Sequence, residues 1–138
     1  MEDSPSPRHL AVKVVMMPRD TNPFGTIFGG VLLSYIDQAG SVGALYEIER
    51  SGWSRNPLVT VAMNAVEFHE PVFVGDIISF WTKVLRVGTT SIAVHVSVER
   101  ERGQQIVRVT EAEVVYVAID PAGVDRTPRP IRVPKLVP

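Results

Sequence analysis

The chain has no cysteine, only 3 histidines among 138 residues, and 7% aromatics. Without thiols there is no disulfide framework, no thiolate nucleophile and no cysteine-based metal site, which fits a reducing compartment, and a cytoplasmic location is expected. The histidines, His9, His69 and His95, are scattered. None has a partner at i+3 or i+4, and none adjoins an evident nucleophile, so no metal site is expected and each reads as a solvated surface group. Strong charge of one sign is missing too: the net charge is −1, and no Lys/Arg cluster is interleaved with aromatics. That speaks against a nucleic-acid partner. The opening MEDSPSPRHL lacks the basic and then apolar run of an export signal and reads as a short disordered lead. The segment from Phe24 to Tyr46 has the length of a membrane span, but Asp37, Gln38 and Ser41 lie near its middle and Gly40 and Gly43 inside it. A core helix is the better reading, and no membrane partner is expected.

What the chain does have is one stretch, Asp20 to Glu49, in which a Gly-rich loop runs into a long apolar segment. Between Asp20 and Glu47 the single formal charge is Asp37, set among Val31, Leu32, Leu33, Ile36, Ala39, Val42, Ala44, Leu45 and Ile48. These fall on nearly every side of a 3.6-residue helix, which predicts a buried helix and not an amphipathic surface one. An unpaired carboxylate there costs on the order of several kcal/mol, so Asp37 demands a partner, water or a cavity. The helix is expected to start near Gly29 or Gly30, after the turn at Asn22-Pro23, and to end near Arg50 to Gly52.

Either side of the helix the pattern is that of strands. Leu10 to Met16, closed by Pro18, predicts the first. Leu58 to Phe68, Ile77 to Val87, Ser91 to Arg100 and Gln105 to Ile119 predict four more, with Gly88-Thr89-Thr90 as a hairpin turn. In the fourth, Ile92, Val94, Val96 and Val98 should face inward and Ala93, His95, Ser97 and Glu99 outward. The fifth carries apolar residues on both faces, which predicts a central position. Residues 1–120 thus form a single domain. Residues 121–138 hold five prolines and four Lys/Arg against one Asp; an irregular or disordered tail is expected. The fold class is α+β, one long central helix wrapped by a curled five-stranded antiparallel sheet.

The order strand, Gly-rich loop, long helix and four-stranded meander resembles the hotdog fold. D-T-N-x-x-G-x-I-F-G-G at Asp20 to Gly30, followed by Ile36-Asp37, is similar to the acyl-CoA hydrolase branch of that family, in particular to small bacterial short-to-medium-chain acyl-CoA thioesterases. V-T-V-A at Val59 to Ala62, F-x-x-P-V-x-V-G-D at Phe68 to Asp76 and G-T-T-S at Gly88 to Ser91 carry the same resemblance. It implies hydrolysis of acyl-CoA thioesters to free acid and CoA, without a cofactor beyond the CoA of the substrate. It also implies paired protomers with one continuous sheet, assembled as a homodimer and then a hexamer as a trimer of dimers. The family's two functional residues match Asn22 and Asp37.

Thioester hydrolysis needs a polarised carbonyl and a base or nucleophile within reach. Free amides at the helix start, from Gly29, Gly30 and Val31, are expected to hold the oxyanion. Asp37 lies seven residues after Gly30, ~10 Å along the axis. That is too far to serve the same carbonyl unless substrate or a second subunit bridges the gap, and the resemblance places Asp37 of one protomer opposite Asn22 and Gly30 of the other. Asp37 then acts as base or nucleophile, Asn22 orients water or the oxyanion, and Thr60 lines the site near Asp37. Arg86 with the Gly88, Thr89, Thr90 and Ser91 turn is expected to meet the CoA phosphates, with the basic tail as a second candidate. A non-catalytic acyl-CoA-binding module on the same scaffold is the rival reading.

Overall fold

The computed structural model describes residues 7–53, 56–120, 129–130, 132–133 and 136. Strand β1 (His9–Val15) leads through a 3₁₀ turn (Pro18–Asp20) and a loop into α1 (Gly29–Arg50). Strands β2 (Leu58–Phe68), β3 (Ile77–Val87), β4 (Ser91–Arg102) and β5 (Gln105–Asp120) follow, and a short β6 (Arg129–Pro130) closes the described chain. The five long strands lie in the order β1-β3-β4-β5-β2, all antiparallel, with α1 packed against one face. Strand β5 has neighbours on both sides, although β4 occupies the middle and β5 lies next to the β2 edge.

The helix ends where the sequence provides a stop. Gly52 adopts φ +86, a conformation that only glycine takes freely, and its N–H donates to Glu49 O while that of Trp53 donates to Ile48 O. This pair of bonds satisfies carbonyls that the last helical turn would leave unpaired. The inner face of α1 buries Leu32, Ile36, Ala39, Gly40, Gly43, Ala44 and Ile48. They meet Phe80, Ile92, Val94, Val96, Val98, Val114 and Tyr116, all fully buried. Burying each of the large apolar side chains contributes roughly 1.5–3 kcal/mol, which makes this layer the main source of stability.

Three expectations need correction. The helix is not buried all round: Ser34, Gln38, Val42 and Tyr46 form an exposed stripe, with Val42 at 43% and Tyr46 at 44%. Uniform hydrophobicity in the sequence therefore marks one face for the sheet and a second, uncovered face. On β4 the outward residues Ala93, Ser97 and Glu99 are buried too. Long side chains cover them: Arg8 pairs with Glu99 and lies over the Trp81 ring, and Arg108 Nε donates to Ser97 Oγ at 3.1 Å. The tail is not wholly irregular, because Arg129 and Pro130 pair with Asp120 and Ile119, and Val133 is buried. Leu136 also packs against the core. Of the disordered lead expected over MEDSPSPRHL, residues 1–6 lie outside the described residues, whereas Arg8 pairs with Glu99 and His9 and Leu10 open β1.

Candidate active site

Each part of the D-T-N motif has a local task. Asp20 Oδ2 accepts from the Met17 N–H at 2.9 Å, and Thr21 Oγ1 donates to Pro18 O at 2.7 Å. Asn22 Oδ1 accepts from the amides of Phe24 (2.8 Å) and Thr26 (3.2 Å), and its Nδ2 donates to Thr26 Oγ1 at 2.7 Å. This is an Asx turn extended by one bond, the structure expected of Asn at a tight loop. It fixes the loop beneath the helix start, where Phe28 N–H donates to Asp20 O.

At that start the Phe28 carbonyl accepts from Val31 N–H at 3.0 Å and Leu32 N–H at 3.4 Å. The expectation that Val31 offers a free amide is thereby corrected: its donor is used inside the first turn. The amides of Gly29 and Gly30 have no acceptor among the described residues. Gly30 is exposed, and a Cβ built there would meet nothing within 4 Å, so the approach to both amides is open. Beside them lies a cleft of about 440 Å³ walled by Ile27, Gly29, Leu32, Phe68 and Val72.

Asp37 is half-buried, not sealed in the core. Thr60 Oγ1, on the edge strand β2, donates to Asp37 Oδ1 at 2.6 Å, which leaves Oδ2 without a donor among the described residues. A bulge follows Thr60 directly, since Thr60 pairs with Tyr116 and the next register pair is Ala62 with Val115. Bulges of this kind re-aim a side chain at a sheet edge. Within one chain the structure brings Thr60 to Asp37 but does not bring Asn22 to either, because the Asn22 side chain is spent on its own loop.

At the other end of the sheet, Gly88 N–H donates to Ser91 O and Ala118 N–H to Thr90 O. The amides of Thr89 and Thr90 have no acceptor among the described residues. Arg86, expected to be free for phosphate, is ion-paired with Glu113 across the outer face of the sheet. That partner stands on β5, across β4 from Arg86 on β3, and no local sequence pattern displays it. The tail arrives here: Val133 N–H donates to Thr89 O at 2.8 Å, and Gly88, Thr89, Arg132, Val133 and Leu136 line a cleft of about 570 Å³. The turn and the tail, rival candidates for phosphate in the sequence, are neighbours in space.

The histidines also differ from the expectation of solvated groups. His9 stacks on Tyr46 with ring centroids 3.9 Å apart. His69 and His95 both share Glu111, at 2.9 and 3.2 Å, and hold its carboxyl below the usual carboxylate range through those hydrogen bonds, with Arg108 helping. Glu67, His69 and Glu111 present ligand atoms within 4.8 Å of one another, but the Arg108 guanidinium is 3.6 Å from Glu111 and opposes a cation there. Another cavity, of about 480 Å³, lies against the C-terminal half of α1, between Tyr46, Arg50 and Lys83, away from both the Gly29 amides and Asp37.

The sequence profile of the thioesterase superfamily matches residues 24–107. The chain belongs to the thioesterase superfamily. Among curated thioesterases it is 36% identical over 139 aligned residues to the acyl-CoA thioester hydrolase YciA of Salmonella typhimurium, covering 96% of each chain. Among solved structures it is similar to Cj0915, a hexameric hotdog fold thioesterase of Campylobacter jejuni, at 43% identity and a TM-score of 0.76, with 88% of this chain and 89% of that one covered. It is similar also to the hexameric thioesterase y2039 of Yersinia pestis, at 32% identity and a TM-score of 0.80, covering 96% of this chain and 100% of that one. As a thioesterase of this family it has the hotdog fold expected from its motifs. No helix among the described residues is long and apolar enough to cross a membrane.

What sequence reading missed at this candidate site is a second contact to Asp37. Tyr116 Oη donates to the backbone carbonyl of Asp37 at 2.6 Å, from the fully buried inner face of β5. The available signal was weak: a Tyr among valines in a strand, and a glycine in the middle of a helix.

Proposed function

We propose that the protein hydrolyses acyl-CoA thioesters, with Asp37 as general base or nucleophile. The observation that carries this is the carboxylate itself, half-buried, fixed through Oδ1 by Thr60 and with Oδ2 open, on a helix whose first amides are also open. The named activities of the similar proteins support it. A pure binding surface gains nothing from a half-buried carboxylate fixed in place through one oxygen.

In the reaction, the Gly29 and Gly30 amides, at the positive end of the helix dipole, polarise the thioester carbonyl and hold the developing oxyanion. Asp37 takes a proton from water as it attacks that carbon, or attacks directly to give an anhydride that water then opens. In either route the C–S bond breaks, CoA leaves as thiolate and is protonated, and the acyl group leaves as the acid. Asn22 orients the water or the oxyanion through the second Nδ2 hydrogen, the one that Thr26 Oγ1 does not take. No cofactor is required, because every transferred proton moves between Asp37, water and the thiolate. The absence of cysteine supports a cytoplasmic setting.

The working unit we propose is a homodimer joined along β2, assembled into a hexamer. Strand β2 is a sheet edge, and Val61 and Phe68 on it and Phe24 and Phe28 in the loop are exposed apolar groups. A second copy placed there covers them, and brings its Asn22 loop and Gly30 amide to this chain's Asp37. The hexameric state of the similar structures supports the larger assembly.

The test is release of thiol from acyl-CoAs of graded chain length, read with a colorimetric thiol reagent. Turnover abolished by Asp37→Asn is the expected result. Tight binding without turnover at every length would instead make the protein a binding module.

A further inference from the structure

We propose that Tyr116 is a positioning residue for Asp37, and that Gly40 is there to admit its hydroxyl. The inference rests on the reading of Asp37 given above and extends it to residues that touch no substrate.

Tyr116 and Thr60 are directly opposed across the β5–β2 ladder, so their side chains share the inner face of the sheet. Both end on Asp37: Thr60 on the carboxylate at 2.6 Å, Tyr116 on the backbone carbonyl at 2.6 Å. One cross-strand pair therefore holds the same residue at two points, which fixes the helix above the sheet as well as the rotamer of its acid. In the C-terminal half of the helix, Gly43 is seated on Thr82 of β3 and Tyr46 stacks on His9.

Two costs argue that the hydroxyl is selected and not incidental. Phenylalanine would fill the same fully buried volume without desolvating an O–H, a group whose burial is costly unless bonded. Glycine in the middle of a helix is less favourable than alanine. Yet a Cβ at position 40 would lie 2.2 Å from Tyr116 Oη and 3.1 Å from the ring carbons Cε2 and Cζ. Gly40 follows Asp37 by three residues, on the turn the hydroxyl must reach. Helix propensity is given up at the one place where it lets a phenol reach the Asp37 carbonyl. Burial, and after it the negative charge of Asp37, push the Tyr116 phenol far above its usual range. It is therefore a hydrogen-bond donor at every working pH.

The experiment compares the full-length wild type with Tyr116→Phe, Gly40→Ala, the double variant and Asp37→Asn, by thiol-release kinetics, with melting and native mass as checks. Val114→Ala, a core truncation on the same strand, controls for lost stability. Tyr116→Phe is expected to lower kcat about tenfold at a KM within twofold of wild type, while Val114→Ala keeps its kcat at a temperature where both are folded. Gly40→Ala is expected to give the same split by displacing the hydroxyl, and the double variant to be no worse than the poorer single one, since both remove one contact. Should Tyr116→Phe fail to fold, Gly40→Ala carries the test alone. An inactive Asp37→Asn beside a Tyr116→Phe or folded Gly40→Ala enzyme within twofold of wild-type kcat overturns this proposal and leaves the reading of Asp37 intact. An active Asp37→Asn overturns both, because there is then no acid to position.

Discussion

The Thr60 hydroxyl donates to Asp37 Oδ1 at 2.6 Å and joins the middle of the helix to the edge strand of the sheet. The contact divides the carboxylate into a held oxygen and a working one. Asp37→Asn and Asp37→Ala should keep the fold and lose about 10² to 10⁴ in kcat, the usual cost of removing a base or nucleophile. Thr60→Val, which preserves shape and removes the donor, should lose less, about tenfold. Steady-state thiol release on folded variants decides it: an Asp37→Asn enzyme near wild-type kcat removes Asp37 from the mechanism. A single turnover in ¹⁸O water then separates the two routes, since an anhydride leaves label in Asp37.

Asn22 and Asp37 are not in contact within one chain, so the proposed site is composite. Mixing inactive Asn22→Ala and Asp37→Asn proteins should restore part of the activity through hybrid dimers, one of whose sites carries both native residues. Native mass spectrometry shows whether subunits have exchanged. Exchange without recovered turnover would place both residues in the site of one chain.

Most of the architecture was legible because it depends on local chemistry. The boundaries of β2 and β3 and the helix stop at Ser51-Gly52 follow from period-two runs and from a glycine that adopts positive φ. What was hidden depends on partners distant in sequence. Arg86 looked free because Glu113 stands on another strand, and His69 and His95 looked isolated because Glu111 joins them across the sheet. The helix read as buried all round because Val42 and Tyr46 sit on its exposed stripe and Val31, Leu33 and Leu45 beside it are only partly covered.

Gly43 is the second helix glycine under pressure, with a built Cβ 2.1 Å from Thr82 Oγ1 and 2.6 Å from Thr82 Cβ. Thr82 is buried on β3, so the neighbour has no room to withdraw. Gly43→Ala should destabilise the fold by roughly 1–3 kcal/mol, the usual cost of overpacking, despite the better helix propensity of alanine. Gly43→Ala/Thr82→Ala should recover most of it. A single variant that melts at or above the wild-type temperature would show that α1 can shift off the sheet freely.

Glu111 is a carboxylate whose folded form is held ionised, first by His69 and then by His95, with Arg108 adding charge. A carboxyl group held below its ordinary range in the fold binds its proton more readily when unfolded, so its contribution is complete at neutral pH. That contribution fades as pH falls through the carboxylate range, below ~4.5. Glu111→Gln should therefore melt below wild type at pH 7, by a modest amount since the pair is partly solvated, and the difference should shrink as pH falls through the carboxylate range. A gap that widens on acidification would mean that Glu67 or another acid carries the effect.

The CoA end of the substrate brings several phosphate charges to a body that is itself acidic, with ten Lys/Arg against fourteen Asp/Glu in residues 1–120. Recognition must then be local. With Arg86 engaged by Glu113, the groups still available near the turn among the described residues are the Thr89 amide and the exposed Arg132, which line one cleft, and the Thr90 amide beside it. Oriented amides of this sort bind phosphate, and a guanidinium beside them adds a charge-assisted bond. Arg132→Ala is expected to raise KM for acyl-CoA about tenfold, equivalent to ~1.4 kcal/mol of lost binding, with kcat unchanged because the contact is remote from the thioester. Arg86→Ala should change KM less and lower the melting temperature slightly through Glu113. Truncation after Asp120 should reproduce the Arg132→Ala effect, since it removes the same guanidinium and the wall around Val133. If KM rises with Arg86→Ala and not with Arg132→Ala, the phosphates lie on the outer face of the sheet, where Arg86 leaves Glu113 to meet them.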